Sequence, residues 1–155
     1  MIVFLSLMAG ASSPLRAMDY PDSPLQDETE AVSWQMRGRV LIHNLQFGPA
    51  MLKEKEWVFI DKTRTFNASA FQDRLTLMIR FQYRGVNPDT PLKFIIKLPA
   101  ARPYEETVRL PDREGTYTYR FTIHEPAAFL GSGSAYLYYG FNLVSVFDFT
   151  IMPGS

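Results

Sequence analysis

Three stretches of the chain alternate apolar and polar residues with period two. Residues 74–84 (RLTLMIRFQYR) set Leu75, Leu77, Ile79, Phe81 and Tyr83 on one side, and Thr76, Met78, Arg80, Gln82 and Arg84 on the other. Successive side chains of an extended strand point to opposite faces, so this pattern predicts a strand with one buried face. Residues 92–98 (LKFIIKL) oppose Lys93 and Lys97 to Phe94, Ile96 and Leu98, and residues 116–123 (TYTYRFTI) group Tyr117, Tyr119, Phe121 and Ile123. Residues 35–45 (QMRGRVLIHNL) read as a further strand, with Gly38 as a bulge. Residues 56–60, 63–68 and 104–110 are shorter candidates. Turn-forming segments rich in proline, glycine and aspartate separate them, such as RGVNPDTP from Arg84 and LPDREG from Leu110. No fifteen-residue window carries a helical stripe; residues 127–130 suit a single helical turn.

Residues 136–151 are different, because apolar side chains occupy both parities. Leu137, Tyr139, Phe141, Leu143, Phe147, Phe149 and Ile151 form one set; Tyr136, Tyr138, Val144 and Val146 form the other. A half-exposed strand needs one apolar face, so either Gly140-Phe141-Asn142 turns the chain or a bulge switches its facing. Tyr136 and Tyr138 then remain outside the core. A tyrosine has an apolar body and a polar tip, which suits a contact surface as well as it suits a bonded core position.

Seven to nine short strands at this spacing predict an all-β fold: an antiparallel β-sandwich, immunoglobulin-like in architecture. A small closed β-barrel is the alternative, and an outer-membrane barrel would show the same alternation. Eleven prolines and several short strands count against the membrane form.

The 155 residues suit one domain, and 46% hydrophobic with 14% aromatic residues supply a core. The absence of cysteine excludes disulfides, thiolate chemistry, cysteine metal sites and a cysteine lipid anchor. Residues 1–17 combine an apolar run from Ile2 to Met8 with small residues up to Ala17, the pattern of a secretory signal segment. Residues 18–33 hold Asp19, Asp22, Asp27, Glu28 and Glu30 with no base, and read as an acidic, disordered linker before a domain over 34–155. The expected location is therefore periplasmic or extracellular, with no transmembrane helix.

The net charge is zero. That balance argues against a nucleic-acid partner. Its distribution is uneven. Taking the five linker acids and Arg16 away from 16 acids and 16 bases leaves 11 acids and 15 bases from Trp34 onward, a net of +4. Arg80, Arg84, Lys93, Lys97 and Arg120 all occupy polar strand positions. If these strands share one sheet, its outer face is basic and attracts anionic glycans, headgroups or an acidic protein patch. Ordinary solvated strand faces have the same composition.

Catalytic signatures are lacking. His43 and His124 have no Gly-x-Ser-x-Gly element to serve. Glu105 and Glu106 are adjacent, so in a strand they face opposite ways and form no dyad. Asn67-Ala68-Ser69 is a glycosylation sequon, a short and common motif. No cofactor or metal is expected. The loop reading of Gly131-Ser132-Gly133-Ser134 lacks the lysine and helix of a phosphate loop.

Ser132-Gly133-Ser134-Ala135-Tyr136 resembles the Ser-Gly-x-x-Tyr inhibitory loop of bacterial lysozyme inhibitors. The resemblance covers five residues; the family's Tyr-x-x-x-Thr-Lys-Gly element and its cysteines are missing. It implies that Ser132 would enter a lysozyme active site. Four functions follow from the sequence, the third a hydrolase whose triad uses His43 or His124 and the last a small outer-membrane β-barrel. The first is an exported, non-enzymatic module of the cell envelope that binds a protein or anionic glycan through Ser132, Gly133, Tyr136 and Tyr138 or through Arg80, Arg84, Lys93, Lys97 and Arg120. The second is an inhibitor or immunity protein against a cell-wall hydrolase. The oligomeric state is left open.

Overall fold

The longest alternating stretch becomes the centre of the first sheet. The computed structural model of the chain describes residues 34–154; the signal-like segment and the acidic linker lie outside them. Ten strands form: β1 (Gln35–Arg37), β2 (Val40–Lys53), β3 (Glu56–Phe59), β4 (Thr65–Asn67), β5 (Arg74–Arg84), β6 (Leu92–Lys97), β7 (Tyr104–Val108), β8 (Glu114–His124), β9 (Gly131–Tyr139) and β10 (Asn142–Met152). The described residues make two five-stranded sheets and no closed barrel. One runs β1-β2-β5-β8, with β3 also paired to β2; the other runs β4-β10-β9-β6-β7. Every pairing is antiparallel except β4 with β10.

Leu75, Leu77, Ile79, Phe81 and Tyr83 point from β5 into the space between the sheets. Phe94 and Ile96 from β6, Leu137 and Tyr139 from β9, and Phe147, Phe149 and Ile151 from β10 meet them there. Each such aliphatic or aromatic side chain contributes about 1.5–3 kcal/mol by leaving water. Phe94 stacks flat on Tyr119 of β8 at 3.8 Å, joining the two layers. Phe47 stacks on Phe147 at 4.9 Å at the other end of the core.

Turn chemistry sets the connections. Gly38 and Arg39 both have positive φ, 55° and 72°, and join β1 to β2 as a two-residue hairpin loop. The expected bulge at Gly38 is therefore a turn: both central residues of such a loop must be left-handed, and glycine takes that conformation at little cost. The bulge lies further on, between His43 and Gln46, where Asn44 has φ 54°. It lets β2 continue to Lys53, well beyond the expected end at Leu45. Glu54 and Lys55 make a second hairpin of the same kind into β3.

Residues 136–151 do both things the mixed parity requires. Gly140 (φ 59°) and Phe141 turn the chain between β9 and β10, and the register then shifts between Leu143 and Ser145. The extra residue, Val144, goes inside. Phe141 and Leu143, grouped with the core by parity, are exposed instead. Asn67 of the sequon caps the short 3-10 turn at Ala68–Ala70, its side chain accepting from the Ser69 amide and hydroxyl at 3.1 and 2.8 Å. The helical turn expected near Ala127 is a 3-10 turn at Pro126–Phe129.

Candidate binding surface

The candidate contact residues divide between the two outer faces. Arg80 and Arg84 on β5 and Arg120 on β8 belong to the first sheet; Lys93 and Lys97 on β6 and Ser132, Tyr136 and Tyr138 on β9 belong to the second. The single basic face expected from the sequence is thus corrected to two separate ones. The reason is topological: β6 pairs with β9 and β7, not with β5.

On the first sheet the arginines are engaged within the chain. Arg80 is half-buried, and its guanidinium donates to the Trp57 carbonyl at 3.0 Å and to the Thr118 hydroxyl at 3.2 Å. It also sits 5.7 Å from the Phe59 ring centroid. Arg120 lies 4.8 Å over the Trp57 ring. Arg84 faces Glu114 across the ladder at 3.7 Å. β3 is thus drawn onto the polar side of β5. Met78 and Thr76, polar-side positions by parity, are buried there, and the Thr76 and Thr122 hydroxyls bond to each other at 2.9 Å.

The second sheet presents a different surface. Tyr136 and Tyr138 face outward from β9 and stack on each other, with ring centroids 6.5 Å apart and planes 16° from parallel. The ladder puts Ile95 on one side of Tyr136 and Val146 on the other, and sets Tyr138 between Lys93 and Leu143. Lys97 places its ammonium 4.6 Å from the Tyr136 ring centroid. Lys93 pairs with Glu105 of β7 at 3.1 Å. Ser134 donates to Asp148 at 3.0 Å. At the end of this face the β9–β10 turn holds Phe141 wholly in solvent, at 103% relative exposure. The surface is an aromatic and aliphatic strip flanked by two lysines.

Ser132 and Gly133 need a correction. They belong to β9 and pair with Thr150 and Phe149, so no free loop stands there. Gly133 faces the core, where an added Cβ would lie 2.5 Å from the Phe149 ring. Glycine is there for close packing, not for mobility. Ser132 is exposed on the same face as the tyrosines. The short motif shared with lysozyme inhibitors therefore folds here as a strand.

Parity already grouped Val146 with Tyr136 and Tyr138; sequence reasoning missed Ile95, Leu143 and Phe141 as members of this face. Ile95 was legible, since it shares parity with Lys93 and Lys97. The other two depend on the bulge at Val144 and on the turn.

The two histidines are not brought together. His43 pairs with Gln82 at one end of the first sheet and His124 with Arg74 at the other. About eight strand residues separate these registers, roughly 26 Å. Glu105 and Glu106 face opposite sides, as adjacent strand residues must: Glu105 outward to Lys93, Glu106 inward. No described helix is long and apolar enough to cross a membrane.

No family model matches the sequence, and no curated protein sequence does. Solved structures do match the fold. An immunoglobulin-like protein from Pseudomonas aeruginosa aligns with TM-score 0.51 at 17% identity, over 70% of this chain and 91% of that one. A β-glucosidase from Listeria innocua gives TM-score 0.38 at 12% identity, with 74% of this chain against 16% of the enzyme. The alkylpurine DNA glycosylase AlkC of Pseudomonas fluorescens gives 0.40 at 11% identity, with 73% of this chain against 30% of the enzyme. At those scores the two enzymes add nothing to the assignment. The described residues form an immunoglobulin-like β-sandwich domain, and the likeness defines that class and no narrower one.

Proposed function

We propose that this domain is a non-enzymatic binding module, exported to the cell envelope, whose partner docks on the outer face of the second sheet. The observation that carries the reading is the stacked Tyr136–Tyr138 pair, set between Ile95, Val146 and Leu143 with Lys93 and Lys97 beside it. Tyrosines anchor interfaces because they bury a large apolar area at low entropic cost and keep a polar tip. The fully exposed Phe141 extends the apolar strip and favours a protein partner over a glycan. Export rests on the apolar run Ile2–Met8 and the small residues that follow it. The inhibitor reading keeps only Ser132 and Tyr136 on one face, without the protruding loop that the resemblance implies.

The test is capture from an envelope extract by the full chain, by Tyr136→Thr/Tyr138→Thr, and by Arg84→Ala as a first-sheet control. Threonine keeps the strand preference while removing the rings. The expected result is one protein retained by the wild type and the control and lost, at least ten-fold, with the double variant. Equal retention by all three sinks the tyrosine surface. Retention on heparin-agarose that fails in high salt and survives loss of the rings would make the partner an anionic glycan on the lysines.

A further inference from the structure

The strands that end the two sheets are unequal. β1, β3, β4 and β7 run for three to five residues, and β7 follows Pro103 and carries Glu105 and Glu106. Short length, charge and proline are the usual means of keeping an exposed sheet edge from pairing with another chain. β8, the other end of the first sheet, is guarded far less. It is eleven residues long, holds no proline, and pairs with β5 through eleven consecutive residues without a bulge. Threonine, tyrosine, phenylalanine and isoleucine fill most of it, and these suit a strand well. Its charged residues are Glu114 and Arg120, with His124 at the end.

The ladder fixes which backbone groups of β8 are left over. In an antiparallel pair, opposite residues that exchange both backbone bonds alternate with opposite residues that exchange none. The Glu125 amide donates to the Asp73 carbonyl at 2.7 Å, one step beyond the Arg74–His124 pair. The odd-numbered residues of β8 therefore bond to β5. The amides and carbonyls of Thr116, Thr118, Arg120 and Thr122 point away from it, and among the described residues no backbone of a connecting segment bonds to them. Thr116, Arg120 and Thr122 are exposed, and on the inner side of the strand Tyr117 and Phe121 are only half-buried.

We propose that this edge is a self-association surface, and that its occupant is β8 of a second copy of the chain, paired antiparallel about a two-fold axis at Tyr119. This register pairs all eleven residues of the strand, and in it the strand is complementary to itself. Glu114 meets His124 of the second copy, Thr116 meets Thr122, and Thr118 meets Arg120. On the inner side, Tyr117 meets Phe121. Acid–base, threonine and aromatic pairs are the cross-strand combinations that stabilise a ladder, and no like charges stand directly opposite. An axis at Arg120 would set that arginine against its own copy. A two-fold pairing of one edge with itself is closed, so association stops at a dimer. The surface belongs to the first sheet and shares no residue with the Tyr136–Tyr138 face of the second.

The test is sedimentation velocity of the full chain at up to millimolar concentration, with amide hydrogen exchange read residue by residue by NMR. Thr116→Pro is the variant, because proline there removes an outward amide hydrogen and leaves the bonds to β5 in place. The expected result is a wild-type dimer and at least ten-fold weaker association of Thr116→Pro. In the dimer the Thr118, Arg120 and Thr122 amides should exchange at least ten-fold more slowly than in the variant, while those of Tyr117, Tyr119 and Phe121 are protected in both. The proposal is overturned if the wild type stays monomeric at millimolar concentration, if it grows beyond a dimer, or if the even-numbered amides of the dimer exchange freely. A dimer lost in Tyr136→Thr/Tyr138→Thr and kept in Thr116→Pro would also overturn it, placing the contact on the second sheet. Should Thr116→Pro fail to fold, protection of the even-numbered amides in the wild type, set against the rate of an unstructured amide, decides alone.

Discussion

The two outer faces of this sandwich are built from the same ingredients and differ in what those ingredients bind. Each has aromatic rings beside long cations. On the first sheet, the Arg80 guanidinium reaches the Trp57 carbonyl and the Thr118 hydroxyl, and Arg120 covers the Trp57 ring. These contacts fasten a hairpin of the chain itself over the strand faces. On the second sheet, Tyr136 and Tyr138 stack on each other with Lys97 over the Tyr136 ring, and among the described residues no hairpin is fastened over them as β3 is over the first sheet. A surface whose donors already serve the chain stabilises it; the proposal that a partner docks on the second sheet rests on rings that fasten no other element of the chain. Chemical composition alone does not separate them.

The largest effect is expected where one strand carries both roles. β9 alternates Gly133 and Ala135 inward with Tyr136 and Tyr138 outward. Gly133→Val should destabilise the domain by about 3 kcal/mol, because its first carbon already lies 2.5 Å from the Phe149 ring. Chemical denaturation measures this. A loss below about 1 kcal/mol would mean that β9 is not packed as described.

Next in size are the first-sheet fasteners. Arg80→Ala should cost about 2 kcal/mol, since it removes charge-assisted bonds and leaves the Trp57 carbonyl without its donor. Trp57→Ala should cost about as much, and the double variant less than the sum, because both changes release the same hairpin. Additive losses would show that Arg80 and β3 do not act as one unit.

A smaller effect of opposite sign is expected at the core. Tyr119→Phe removes an unpartnered buried hydroxyl and should stabilise the free protein by about 1 kcal/mol. It should also alter the alkaline limb of stability. Burial raises the ionisation of Tyr119, Tyr117 and Tyr83 above the ordinary value of 10.0. The unfolded chain therefore releases protons near pH 10 that the folded chain keeps. Stability from these groups is whole below pH 10 and declines as pH rises beyond it. Tyr119→Phe should make that decline shallower, as thermal unfolding between pH 8 and 11 would show.

How much of this was legible follows from period and turn chemistry. β5, β6 and β8 were readable because strict alternation reports a one-sided core, and Gly140 because mixed parity demanded a break. β2 was cut short at Leu45 because the bulge at Asn44 breaks its alternation and Pro49 interrupts the strand signal. The glycine-serine run looked like a loop because small residues mark turns. Here they let Phe149 pack against the backbone of β9. The division of the cations between two faces was not readable at all, since parity gives a residue's side but not its sheet. Trp57 and Phe59 could not be placed from sequence, because covering an outer face depends on how far the β2–β3 hairpin curls.

The smallest effect in stability is the most informative about function. Tyr136→Thr and Tyr138→Thr remove rings that rest on Ile95, Val146 and each other, outside the core. Cross-strand pairs of this kind contribute about 0.2–1 kcal/mol, so each variant should lose about 0.5 kcal/mol and keep its fold. Against the roughly four-fold larger cost at Arg80, that near-neutrality is what an available surface predicts. Equilibrium unfolding of the four single variants Arg80→Ala, Trp57→Ala, Tyr136→Thr and Tyr138→Thr measures the contrast directly. If the tyrosine variants lose as much as the first-sheet variants, the rings serve the fold, and the second sheet has no more claim to a partner than the first. If they lose little, the rings are not needed for the fold, which is the result the proposed docking face requires.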